Sequence, residues 1–223
     1  MSKKVFLSAG HGGSDPGAVA NGLKEKDINL QTMLACQSEL VRHGITVVCS
    51  RTTDENDPVA QEVKEANASG ADIAVSFHAN AGRGDGFEAF YYSGDADGRK
   101  LASLCEKYAK QLGQNSRGLK TNNLMFTRET AMTAVLVESF FLDHATDKQI
   151  GDTVAEQKAF GIAYAKAILE YLGITYKESV TSITAPIDKW YRVQIGAYKE
   201  KKNAEAMLKK VKAAGFTDAY INS

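Results

Sequence analysis

The 223-residue chain carries no excess of charge, few cysteines and no long apolar run. Basic and acidic residues both number 27, so the formal charge is zero and no nucleic-acid partner is expected. The three cysteines, Cys36, Cys49 and Cys105, form no C-x-x-C pair, and an odd, widely spaced set argues against a disulfide framework. Cys36 falls on the apolar stripe of a helix and Cys49 closes an apolar strand, so both are expected to pack in the core. No apolar stretch approaches the ~20 residues that span a bilayer, which sets aside a membrane protein. The first four residues lead straight into a strand-like segment rather than a signal-peptide core, so synthesis in the cytoplasm is expected. Zero net charge hides an asymmetry: residues 1–173 sum to −4, and residues 174–223, with 9 basic and 5 acidic side chains, to +4. A mildly acidic body with a basic tail suits a tail that meets an anionic surface, or simply a solvated face.

What is present is an alternation of strand-like and helix-like segments. Continuous apolar runs at 5–9, 45–49, 71–77 and 133–137 predict buried strands, with a further strand at 86–92 and a short one near 124–126 after a polar loop at 115–123. Three- and four-residue apolar spacing predicts helices at about 25–42, 58–69, 99–112 and 147–172, several of them stopped by glycine. The expected fold is α/β, a mostly parallel open sheet with helices on both faces. Residues 174–189 read as a linker rich in Ser, Thr and Pro. A small βαβ unit of about 34 residues follows at 190–223: a strand at 191–195, a helix at 201–214 and a strand beginning at 219–221. It lies below the ~40 residues usually needed to fold alone.

Chemistry gathers at the strand ends. His11 follows the run 5–9, His78 follows 71–77 and Glu138 follows 133–137, while Glu25 opens the first helix. In an open parallel sheet, side chains at the carboxyl ends of strands converge on one edge. A lone histidine after a strand is commonly an ordinary loop residue, but here two of the four histidines stand at equivalent places. Two imidazoles and a carboxylate around an open position match a catalytic zinc site, and a second carboxylate can move the proton of the attacking water. Glu138 suits the second role, since apolar neighbours on both sides would raise its pKa. The other two histidines read as incidental, His43 before a helix stop and His144 in a solvent-exposed turn.

The segments Gly10-His-Gly-Gly-Ser-Asp-Pro-Gly17, Gly22-Leu-Lys-Glu-Lys-Asp-Ile-Asn-Leu30, Ser50-Arg-Thr52, Ala66-Asn67, Ser76-Phe-His-Ala-Asn80 and Leu136-Val-Glu-Ser-Phe140 occur in this order. Together they resemble the zinc-dependent N-acetylmuramoyl-L-alanine amidases of bacterial cell-wall lysis, the class of autolysins, sporulation amidases and phage endolysins. The resemblance covers about residues 3–173. It implies that His11, Glu25 and His78 hold Zn2+, that Glu138 is the catalytic glutamate and that Asn80 touches substrate or supports the site. The implied reaction is hydrolysis of the amide joining the lactyl group of muramic acid to the first L-alanine of the stem peptide. Cleavage within the stem peptide by the same site, or wall binding without turnover, are the alternatives. Ser8-Ala9 stand where the family often has Asp-Pro, Glu62 where an arginine is common, and Ser139-Phe140 where Gly-Phe is more typical. Only 81–85 separate the His78 turn from the next strand, too few for the plugging helix of certain periplasmic relatives, so an open enzyme is implied.

Residues 190–223 resemble the first half of a SPOR-type peptidoglycan-binding domain. The resemblance implies either a homodimer in which two chains pair their halves, or an incomplete copy. An enzyme of this class without a signal peptide is expected to reach the wall through a holin, mother-cell lysis or non-classical export.

Overall fold

The computed structural model describes residues 3–178, 196, 198–216 and 219–221. Two compact units divide the chain, 1–178 and 179–223. The first is built on a six-stranded sheet in the order β4-β1-β5-β8-β6-β7. Its strands are β1 (Lys4–Ala9), β4 (Thr46–Cys49), β5 (Ile73–Asn80), β6 (Phe87–Tyr91), β7 (Ser116–Thr121) and β8 (Thr133–Phe141). All neighbours are parallel except β6 and β8, so the mostly parallel sheet is as expected.

Side chains alternate across the sheet and feed two cores. Val5, Leu7, Ala9, Ile73, Val75, Phe77, Val135 and Val137 point to one face. There they meet α1 (Glu25–Arg42), α3 (Ala96–Lys110) and α6 (Val154–Tyr171) through residues such as Met33, Leu101, Phe160 and Tyr164. Phe6, Ala74 and Ala134 point to the other face, where α2 (Val59–Ser69) and α4 (Met125–Glu129) supply Val63, Ala66 and Phe126. This second layer is smaller, and the same face carries His78 and Glu138 at half-buried positions. Cys36 and Cys105 are buried and Cys49 half-buried, in line with packing roles.

Helix α1 packs on α6 across a glycine. A Cβ on Gly161 would run into the Thr32 carbonyl oxygen and the Ala35 Cβ. A backbone oxygen inside a helix cannot step aside cheaply, so Gly161→Ala is expected to destabilise the protein by about 1–3 kcal/mol. Thermal unfolding checks this; an unchanged midpoint would mean that the two helices separate at no cost.

Several local expectations are corrected. The strand carrying His78 runs on to Asn80 and the one carrying Glu138 to Phe141, so both residues lie within strands rather than after them. The apolar run marks only where both faces are covered, whereas pairing continues where one face opens to solvent. The polar loop 115–123 contains edge strand β7, which among the described residues pairs with β6 alone. The strand near 124–126 is instead the start of short helix α4. The helix expected over 147–172 is two, α5 (Ala145–Lys148) and α6. A capping box between Thr153 and Glu156 starts the second, while a Cβ at Gly151 would strike the Phe140 ring. A two-stranded hairpin, β2 (Val19–Ala20) with β3 (Leu23–Lys24), was not expected, although Asn21-Gly22 at φ 53° and 80° is a strong turn signal.

In the second unit the expected helix is present as α7 (Lys201–Ala213), with Ala204, Met207, Leu208 and Val211 its half-buried positions. The strand expected at 191–195 lies outside the described residues. Residues 219–221 are irregular rather than a strand, having no ladder partner among the described residues.

Candidate metal centre

The loop after β1 turns at His11, whose φ of 65° is left-handed, a conformation that a non-glycine residue holds only when its surroundings enforce it. The enforcement is visible. The buried Arg51 guanidinium donates to the carbonyls of Ala9 (2.9 Å) and Lys26 (2.8 Å), and the Asn29 amide to that of Gly10 (2.9 Å). Lys26 Nζ donates to the Gly13 carbonyl and pairs with Asp54. Gly17, at φ 62°, lies so close that a Cβ there would meet Glu25 Oε2 and His11 Cδ2.

His11 Nδ1 donates to Asp15 Oδ2 at 2.8 Å, which aims Nε2 at Glu25 Oε1, 3.2 Å away. From the sheet, His78 Nδ1 lies 2.9 Å from the same Glu25 oxygen. The two imidazole rings meet edge to face with centroids 5.2 Å apart. One donor atom from each of His11, Glu25 and His78 thus falls within 4.8 Å of the others. Glu25 is 6% exposed, and its second oxygen accepts from the Ala18 amide. Two nitrogens and a carboxylate oxygen on three rigid elements are the donor set of a transition-metal site, and the Asp15–His11 bond is the usual outer support of such a ligand.

The charges agree with three groups that want a shared cation. Burial alone would push the Glu25 carboxyl up, but hydrogen bonds from His11 and His78 overcome it and hold it far below the usual carboxylate range. The hydrogen bond to Glu25 lifts His11 to about 9 against the opposing effect of burial. His78, which burial would lower, is also raised by Glu25, with the charge of Glu138 next in weight. A bound metal would take the place of those protons.

Glu138 is the register partner of His78 across the β5–β8 ladder, so both side chains emerge on the same face. Burial raises its carboxyl to about 7, His78 opposes the rise, and the charges of Glu25 and Glu88 add to it. Its Oε2 is enclosed and has no hydrogen-bond partner. Asn80, two residues beyond His78, donates to Glu88 Oε2 at 3.4 Å and accepts from the Ala81 amide. Glu88, in turn, is the register partner of Glu138 on β6, 4% exposed, and pairs with Arg117 and Lys120. The sequence reading missed Glu88 and Asn29, which act through partners distant in the chain, and Asp15, which supports His11 from four residues away within the same loop. It noted Glu62 only as a departure; that residue is 2% exposed, and burial raises its carboxyl against the charge of His78.

The family described as N-acetylmuramoyl-L-alanine amidase matches residues 5–170, and the SPOR domain family matches residues 160–222. The chain is 35% identical to the N-acetylmuramoyl-L-alanine amidase CwlM of Bacillus licheniformis, over 98% of this chain and 84% of that protein. It is 34% identical to a sporulation-specific N-acetylmuramoyl-L-alanine amidase of Bacillus subtilis, with the same coverage. Among solved structures, the catalytic domain of CwlV, an N-acetylmuramoyl-L-alanine amidase from Bacillus (Paenibacillus) polymyxa var. colistinus, superposes with a TM-score of 0.73 at 32% identity. That match covers 78% of this chain and 99% of the other. A metal-capable triad beside an unpartnered carboxylate, on this sheet and with these relatives, places the chain in the N-acetylmuramoyl-L-alanine amidase family.

Proposed function

We propose that the chain cleaves the amide between N-acetylmuramic acid and L-alanine of peptidoglycan with zinc held by His11, Glu25 and His78, and with Glu138 as general base. The observation that carries this is the convergence of three donor atoms beside a buried carboxylate oxygen that has no partner. Zinc bound there would lower the pKa of a water to about 7 and polarise the scissile carbonyl. Glu138 Oε2 takes the proton of the attacking water and returns it to the departing alanine amine, so that an amine rather than an amide anion leaves. Asp15 keeps His11 in the tautomer that presents Nε2, and Asn80, held by Glu88, faces substrate.

Product analysis on purified sacculi, with and without a chelator, tests the reading. New alanine amino termini without new reducing sugar ends are expected, lost with the chelator and restored by zinc. Amines freed within the stem peptide would mean a peptidase, and binding without clearing would mean a wall-binding protein.

Gly10 provides a sharper test of the ligand assignment. A Cβ there would overlap the His78 imidazole. The ring cannot yield without moving its donor nitrogen, so Gly10→Ala is expected to weaken zinc binding by about 10–100-fold, as loss of an outer support does. Competition against a chromophoric chelator measures it, and unchanged affinity would remove His78 from the site.

We further propose the division 1–173 catalytic domain, 174–189 linker and 190–223 wall-binding segment, with two chains pairing their segments. The SPOR match supports a wall-binding role for the tail. Light scattering decides the pairing: a dimer that becomes a monomer when 190–223 is removed supports it, and a monomer in both forms ends it.

A further inference from the structure

A second cluster of metal-capable side chains lies outside the centre described above. The connection 81–86 between β5 and β6 is tied to the turn after β8 by carboxylates. Asp143 Oδ2 accepts from the amides of Gly82 and Arg83, both at 2.9 Å. Asp147 Oδ2 accepts from the amides of Gly86 and Phe141, both at 2.8 Å. These bonds account for one oxygen of Asp147. The other, Oδ1, has no hydrogen-bond partner although the residue is 1% exposed. Asp85 Oδ1 and His144 Nδ1 are enclosed and unpartnered as well, 3.3 Å apart without the geometry of a hydrogen bond. One donor atom from each of Asp85, His144 and Asp147 lies within 4.8 Å of the others. His144, expected in an exposed turn, is therefore a half-buried residue whose Nδ1 faces inward.

An enclosed, unpaired carboxylate oxygen is costly, and three lone-pair donors turned to one point compound the cost. Burial pushes the Asp147 carboxyl up, and the facing Asp85 adds to the rise despite two amide donors. Among the described side chains, no lysine or arginine forms an ion pair with Asp85 or Asp147. We propose that Asp85, His144 and Asp147 form a second divalent metal site that locks the 81–86 connection onto the end of β8. The donor set identifies the class of ion. Calcium takes 6–8 oxygens and magnesium keeps most of its waters, whereas one imidazole with two carboxylates suits zinc and its transition-metal neighbours. The lock bears on the catalytic face, because the same turn donates from the Leu142 amide to the Asn80 carbonyl at 2.8 Å.

The full-length chain with zinc as the probe decides the matter, read as bound metal after equilibrium dialysis rather than as activity. The wild type is expected to hold about two zinc ions per chain. His78→Ala should keep one of them, and adding Asp85→Asn with His144→Gln to that variant should remove it. Asp147→Asn, which keeps an amide oxygen for the Gly86 and Phe141 amides, should also cost one ion in an otherwise wild-type chain whose circular dichroism is unchanged. A wild type that holds a single zinc, or a residual zinc in His78→Ala that survives the double substitution, would overturn the proposal. Neither result depends on which bond the enzyme cleaves.

Discussion

Glu138→Gln is expected to leave zinc binding intact and to lower turnover by about 10²–10⁴-fold, the contribution of a positioned general base. The substitution is nearly isosteric, and Glu138 donates to none of the three proposed ligands, so the loss falls on proton transfer rather than on the metal. The same change has a second, opposite consequence. In the metal-free protein the Glu138 carboxyl stands at about 7, above the ~4.3 of a solvated glutamate, because burial disfavours its charge. The folded state therefore binds this proton more tightly than the unfolded state does. The stability it contributes is fully present below about pH 4.3 and is lost as the pH rises through 7. A glutamine cannot ionise, so at pH 8 the variant should be more stable than the metal-free wild type by up to about 3 kcal/mol. Denaturant unfolding of chelated protein at pH 5 and pH 8, set beside turnover on sacculi, measures both sides. A variant that turns over normally would dismiss Glu138 as the base. One that gains nothing at pH 8 would show that burial does not raise this carboxyl.

His78→Ala is expected to abolish turnover by a different route, the loss of one zinc ion per chain. It removes a donor nitrogen and the partner of Glu25 Oε1 at the centre of the cluster. Zinc should accordingly lose much of its protective effect: a ligand at 1,000 times its dissociation constant stabilises a fold by about 4 kcal/mol. The check is the thermal midpoint with and without added zinc in both proteins, together with bound metal. The pairing of variants is informative, since Glu138→Gln should keep the zinc-induced rise and His78→Ala should lose most of it. Equal rises in the two would refute the assignment of His78.

The residues of this centre were legible because buried parallel strands announce themselves as apolar runs, and a polar side chain that follows such a run has only the sheet edge to occupy. His11, His78 and Glu138 are all found that way. The exact placement was not legible, because pairing along β5 and β8 outlasts the apolar pattern and carries His78 and Glu138 inside the strands as register partners. That partnership, which sets their spacing, is a non-local fact. The supports were hidden for the same reason: Arg51 reaches Ala9 and Gly10 from 42 and 41 residues away, and Glu88 meets Glu138 across an antiparallel pair. Other misses had signals that went unread. Asn21-Gly22 is a hairpin turn, and Thr153 followed three residues later by Glu156 starts a helix. Edge strand β7 offered little, since a strand at the edge of a sheet reads as polar as a loop.

The unequal layering of the sheet has a bearing on what kind of material the enzyme can work upon. Three helices close one face, while α2 and α4 cover the other with a smaller cluster and leave His78 and Glu138 partly exposed there. A soluble metabolite could be swallowed by a deep pocket. The cell wall cannot, being a cross-linked solid whose strands are anchored at both ends. An enzyme that must attack such a mesh has to come to it like a tool laid against a surface, with its working edge on an uncovered flank. The incomplete second layer supplies that flank.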